Sequence, residues 1–268
     1  PILGTAASVE GLSREVLLGW RAAHHTANRI IVSAAGAVDP AAFTEAARRT
    51  FAELPDAPGL ALSPAPEFCP RCLAVERDVE QCHVLLAWPA VSMTDPGRYA
   101  WSCLSALLGG QLSSRLFQEV REKRGLAYSI SSHPQALTDC GILEIYAATS
   151  PERTTELLEV LRREIEAVAG GDITAEELSN AKDHLTGMLL LSAESTEERM
   201  LRLARNVAVH GRHVPVEEAV ASFAAVTLDE VRAAAATLAD FSAASLLVLG
   251  PEADPAYADA VGKRFETP

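Results

Sequence analysis

Strand-like segments in this chain come in pairs, and runs of helix separate the pairs. Leu73–Ala87 (LAVERDVEQCHVLLA) reads as two strands, the second almost wholly apolar. Asp95-Pro96 opens a helix that ends at Gly109-Gly110, where glycine serves as a C-cap. Ser113–Arg124 is a second helix, stopped by Gly125. Ala127–Ser132 and Ile142–Thr149 alternate and read as an antiparallel pair. Helical segments come next at 151–169, 174–191, 194–210 and 227–239, and Thr174-x-x-Glu177 matches a capping box. Ala243–Leu249 is a closing strand. This order predicts an α+β fold, antiparallel sheets packed with helices, rather than a doubly wound parallel sheet.

The N-terminal part is different. Ser13–Ala23 reads as a helix with Leu12, Val16 and Trp20 on one face. Arg29–Ala35 (RIIVSAA) reads as a buried strand ending at Gly36. Asp39-Pro40 supplies an N-cap and first residue for a helix running through Phe43, Ala47 and Phe51. One strand and two helices cannot close a sheet over a core, because strands need partners for their backbone groups. Five prolines between Pro55 and Pro70 then mark a linker. The expected organisation is therefore 1–54 as the C-terminal remnant of a domain, 55–72 as linker and 73–268 as a complete domain.

Composition narrows the function classes. At 268 residues and 49% hydrophobic the chain is globular and not disordered. A net charge of −13 and 5% aromatic residues argue against nucleic-acid binding. No apolar run approaches the ~18 residues of a membrane span, and the N-terminus has no signal-peptide pattern. Five cysteines do not form a disulfide framework, which points to a reducing compartment, with the cytoplasm as the expected location. The chain lacks an initiator Met, so something is expected to precede Pro1.

Few motifs carry chemistry. Cys69-Pro-Arg-Cys72 has C-x-x-C spacing, but no second ligand pair completes a four-ligand zinc site. It sits in a linker rather than between a strand and a helix, so two incidental thiols are expected. None of the seven histidines lies in H-E-x-x-H or H-x-x-E-H. His210 and His213 are spaced for one helical face, but Gly211 and Pro215 break that turn. The informative stretch is Gly109–Ser132, GGQLSSRLFQEVREKRGLAYSISS. Its helix carries Arg115, Arg121, Lys123 and Arg124 in an otherwise acidic chain. The simpler reading is a solvated face with intrahelical pairs to Glu119 and Glu122. The other reading puts Arg121 and Tyr128 together, two hydrogen-bond donors that could hold a carbonyl and stabilise its oxyanion. From chemistry alone both stand, and the solvated face is the favoured one.

That stretch resembles the signature of the C-terminal domain in the pitrilysin and mitochondrial processing peptidase family, inverzincin zinc proteases. The resemblance continues through GILEIYAATSPERTTELLEVL, ITAEELSNAKDHLTGMLLLSAESTEERM and VTLDEVRAAAATL. The start, PILGTAASVEGLSREVLLGWRAAHHTANRIIVSAAGAVD, is similar to the later part of the family's N-terminal domain. The smaller bacterial processing proteases are the most similar subgroup. The resemblance implies a clamshell of two related α+β domains, here with the first incomplete, and zinc bound by H-x-x-E-H and a downstream Glu in the N-terminal domain. It assigns Arg121 and Tyr128 to contacts with the substrate backbone across the cleft. H-x-x-E-H is absent from this chain, so no cofactor is expected in it and no hydrolysis by it alone. Zinc would belong to the parent or to a partner. Two accounts fit: the C-terminal part of an active metalloendopeptidase acting on peptides or unfolded segments, or a natural non-catalytic, peptide-binding subunit that pairs with a zinc-bearing partner. The mid-domain start favours the first. Expected partners are a peptide substrate and the missing segment or a zinc-bearing subunit, with homodimerisation a further outcome of an exposed half-domain core.

Overall fold

The computed structural model describes residues 2–56, 64–251, 254 and 256–262. Residues 57–63, the middle of the proline-rich linker, lie outside the described residues. Chain contacts divide the molecule into two compact units. One comprises the residues before Ala65 together with Glu194–His213, and the other comprises Ala65–Ala193 and the chain from Val214 onward.

In the smaller unit, α1 spans Ala6–Glu10, α2 Arg14–His24 and α3 Pro40–Phe51. Asp39 is the N-cap expected from sequence, and Ser13, read as the first helical residue, is the N-cap of α2. Ser13 Oγ accepts from Val16 N–H at 3.3 Å, and Asp39 Oδ1 accepts from Ala42 N–H at 2.7 Å with Pro40 in the first turn. Arg29–Ala35 is not a strand. A 3₁₀ turn at Ala27–Arg29 leads into chain that joins no ladder, and Ile31 and Val32 are exposed. An apolar run becomes a strand only when another strand takes up its backbone groups, and among the described residues none does.

The larger unit is built on a five-stranded sheet among the described residues. Its strands are β1 Cys72–Glu76, β2 Cys82–Ala90, β3 Ala127–Ala136, β4 Gly141–Thr149 and β5 Ser245–Gly250. Their order is β1-β5-β2-β4-β3. β2 pairs antiparallel with β4 and β5, and β3 pairs antiparallel with β4. β1 pairs parallel with β5, so the sheet is mixed at one edge. The pairing of two strands far apart in sequence is a tertiary fact that local alternation cannot encode.

Helices cover one face. They are α4 Arg98–Ser105, α5 Thr154–Ala169, α6 Ala175–Ser192, α8 Val216–Ala225, α9 Leu228–Ala236 and α10 Ala256–Ala260; α7, Thr196–His210, belongs to the smaller unit. Val84, Leu86 and Trp88 of β2 and Leu143, Ile145 and Ala147 of β4 turn every second side chain into this core, where they meet Leu104, Leu158 and Leu161. The opposite residues of the same strands, such as His83, Leu85 and Tyr146, are half-buried. α4 starts at Arg98 rather than at Pro96, because Asp95 Oδ1 caps Gly97 N–H at 2.7 Å in a preceding turn. α8 is not predicted by the local sequence pattern. Gly211, with φ of 66°, ends α7 and reads as the start of a loop, but Pro215 then sits just before a new helix.

Candidate functional site

Gly109–Ser132 folds as two π-helical turns and the start of an edge strand. α4 widens into a π-helix at Ala106–Gly110, and Phe117–Lys123 forms a second one. π segments are uncommon and concentrate at functional sites. The first lies tight on β3. A Cβ on Gly109 would stand 2.9 Å from both the Cβ and the backbone nitrogen of Ser132, so glycine is required by the close approach. Ser105 and Ser132 share a buried hydroxyl hydrogen bond of 3.0 Å across the same contact.

The second π segment ends in a left-handed glycine cap. Gly125, at φ of 59°, donates its N–H to Arg121 C=O at 3.1 Å, and Leu126 donates to Val120 C=O at 2.8 Å. Val120 and Leu126 are both buried, which supplies the apolar contact that this turn favours. Two further bonds fix it from outside. Arg153 Nη1 donates to Gly125 C=O and Thr149 Oγ1 to Leu126 C=O, both at 2.5 Å. No local spacing pointed to Arg153 or Thr149, since both reach the turn from β4 and the residues after it.

The strand begins directly after this turn, and its register steps there. Ala127 faces Thr149 and Ser129 faces Ala148, which leaves Tyr128 as the extra residue of a β-bulge. The bulge turns Tyr128 outward, 79% exposed. The Arg121 guanidinium carbon lies 4.6 Å from the Tyr128 ring centroid and 4.9 Å from that of Phe117. The structure therefore brings Arg121 and Tyr128 together. Phe117, the second ring, was missed, although its i, i+4 spacing to Arg121 was visible. Stacking uses the faces of the guanidinium and leaves its N–H edge for other acceptors. The nearest carboxylate contact is Glu122 at 3.9 Å, beyond hydrogen-bond range, and among the described residues Tyr128 Oη has no hydrogen bond.

The other cations of the segment have structural partners. Lys123 pairs with Glu119 one turn away, and Arg124 lies 3.7 Å from the same carboxylate. The hydrogen bond from Lys123, aided by the nearby arginines, outweighs the opposing effect of burial and holds the Glu119 carboxyl below its usual range. Arg115 makes a bidentate pair with Glu177, at 2.5 and 2.9 Å, and reaches Asp172 at 3.1 Å. Glu177 in turn completes the Thr174 capping box of α6. The solvated-face reading thus holds for Lys123 and Arg124, while Arg115 is an inter-element clamp.

The segment lies in a chain that belongs to the peptidase M16 family. Residues 11–185 match the family model described as the peptidase M16 inactive domain. The chain is 35% identical over 262 residues to an uncharacterized zinc protease of Streptomyces coelicolor, covering 95% of this chain and 57% of that protein. It is 38% identical over 259 residues to one of Mycobacterium tuberculosis, covering 94% and 58%. It thus spans a little over half the length of these curated relatives. The fold is shared with the crystal structure of a peptidase M16 inactive domain from Pseudomonas fluorescens, at a TM-score of 0.82 and 24% identity over 93% of this chain and 60% of that one. A protease from Helicobacter pylori gives 0.81 at 20% identity, over 92% of this chain and 61% of that one.

The zinc in the relatives' names does not fit the residues described here. No three His, Cys, Asp or Glu side chains converge among the described residues. Cys69 is exposed and Cys72 is buried, and His83 Nδ1 is 2.8 Å from Tyr146 Oη. No helix among the described residues is long and apolar enough to cross a membrane.

Proposed function

We propose that this chain is the substrate-holding part of a zinc-dependent metalloendopeptidase that acts on peptides or unfolded segments. The observation that carries the reading is the Arg121–Tyr128 pair. Both donors stand together, stacked but without a hydrogen-bond acceptor among the described residues, at the bulged start of an edge strand. A guanidinium edge and a phenol in that position suit the carbonyl oxygens of an extended peptide. An edge strand also offers backbone groups to a peptide added as a further strand, a mode that tolerates many sequences and excludes folded substrates. The zinc-bearing centre would come from the parent protein or a partner outside this chain, and no step through it is assigned to residues here.

The test is made in the full-length parent. Arg121→Ala and Tyr128→Phe should each lower kcat/KM by about 10–100-fold, the cost of a lost hydrogen-bond donor to the substrate, with zinc content unchanged. Parallel loss of zinc and activity would sink the assignment of these two residues. A parent that holds no zinc but binds unfolded peptides through Arg121 would make the chain part of a non-catalytic binding subunit.

A further inference from the structure

A cleft of about 730 Å³ opens in the larger unit between the start of α4, α8 and α9. A smaller one, about 210 Å³, lies against the end of β2 and the β3–β4 hairpin. Val91, Arg98, Tyr99 and Trp101 line both and so form the wall they share. The volume suits a small organic ligand, and the lining is mainly apolar. Tyr99 and Phe223 meet edge-on at the smaller cleft, with ring centroids 5.0 Å apart.

The polar side chains around the larger cleft have local partners, and one of them keeps spare donors. Ser222 Oγ donates to Glu218 C=O at 2.8 Å, and Thr237 Oγ1 donates to Ala234 C=O at 2.7 Å. Glu230 Oε2 caps α9 by accepting from Thr227 N–H at 2.7 Å and its hydroxyl at 2.9 Å. Arg98 is that one. Its Nη1 donates to Asp95 C=O and its Nη2 to Tyr99 Oη, each at 3.0 Å, with Cζ 4.3 Å from the Tyr99 ring centroid. These bonds hold the guanidinium in place and use two of its five N–H groups. Among the described residues no carboxylate pairs with it, although the chain carries a net charge of −13. A half-buried cation beside an apolar cleft, with spare donors and no counter-ion, is complementary to an anion on an apolar stem.

We propose that the larger cleft binds a ligand in which an apolar chain ends in a carboxylate, with Arg98 taking the carboxylate and Val91, Tyr99, Trp101 and Val226 the apolar part. Two sources share that chemistry: a free amphipathic acid, and the C-terminus of a peptide ending in an apolar residue. Calorimetric titration of the 268-residue chain separates them. The probes are octanoate against 1-octanol, and a short peptide ending in leucine with a free carboxylate against the same peptide amidated.

The carboxylate form of at least one pair should bind about tenfold or more tightly than its neutral counterpart. Arg98→Gln should remove that preference, and Lys123→Ala, which removes an exposed cation elsewhere, should keep it. Octanoate binding alone identifies the free acid, and peptide binding alone identifies the C-terminus. Because Arg98 also holds Asp95 and Tyr99, a second variant guards against misfolding. Ala233→Phe fills the cleft from an exposed position on α9 and should abolish binding with Arg98 intact. Equal affinity for charged and neutral probes, no binding of either, or full binding by Ala233→Phe would overturn the proposal.

Discussion

Arg115 and Arg121 lie on the same helical segment, and their surroundings give them different work. Arg115 is largely enclosed, and its bond to Glu177 raises its pKa further above the ordinary range against the opposing effect of burial. Burial pushes the Glu177 carboxyl up, but hydrogen bonds from Arg115 and Thr174 outweigh it and hold the group below its ordinary value of 4.5. Arg115→Ala leaves a partly buried carboxylate unpaired and should cost about 2–3 kcal/mol in urea unfolding, whereas Lys123→Ala should cost less than about 0.5 kcal/mol. The folded state favours ionised Glu177, so its contribution is complete above pH 4.5 and is lost as pH falls through the lower folded value. Wild-type urea midpoints should therefore drop below pH 4.5 more steeply than those of Glu177→Gln. Thiols obey the same logic of environment. Cys69 is exposed, while burial pushes Cys103 up to about 11. A maleimide or disulfide reagent should label Cys69 first in the native protein and leave Cys72, Cys82 and Cys103 until unfolding.

At the level of elements, glycines separate packing from propensity. Gly109 presses the first π segment onto β3, and a methyl there would meet Ser132 at 2.9 Å. Gly109→Ala should destabilise by about 1–3 kcal/mol, since helix and strand must move apart. Gly187, within α6, has nothing within 4 Å of where a Cβ would stand. Gly187→Ala should instead stabilise by about 0.5–1 kcal/mol through helix propensity. Thermal or urea unfolding of the two variants reads the contrast directly. Elements with strong local signals were legible in sequence: the capped helices at Ser13, Asp39 and Thr174, and the alternating β3–β4 pair. The Arg29–Ala35 run was not, because its apolar pattern is the same with or without a partner strand. α8 was hidden by Gly211 and Pro215, which signal a break in the chain but carry no information about whether a helix or a loop lies beyond it.

At the scale of the molecule, burial is unevenly shared. α1, α2 and α3 contain no buried residue, and Val16, Leu17 and Trp20 of α2 are all more than half exposed, at 53%, 55% and 58%. In the larger unit, β2, β4 and α5 carry side chains removed completely from water, among them Val84, Leu86, Ile145 and Leu161. Local stability tracks buried apolar area, so hydrogen exchange should be at least about 100-fold faster in α1–α3 than in β2, β4 and α5. Uniform protection across the chain would contradict this. The same exposed face of α2 should bind a dye such as ANS, and Leu17→Lys with Trp20→Lys should reduce that fluorescence.

The sequence by itself determined the α+β class, most helix starts, the family and the segment that holds Arg121 and Tyr128. These come from local periodicity, caps and a motif, all written in neighbouring residues. The tertiary structure alone decided the parallel β1–β5 pairing, the grouping of α7 with the N-terminal helices, the bulge that turns Tyr128 outward and the partners of Arg115 and Arg153. Each depends on groups brought together from distant parts of the chain, such as Arg115 with Glu177 or Thr149 with Leu126. A guanidinium has the same chemistry wherever it stands, and what it does is set by the acceptors that folding places within its reach.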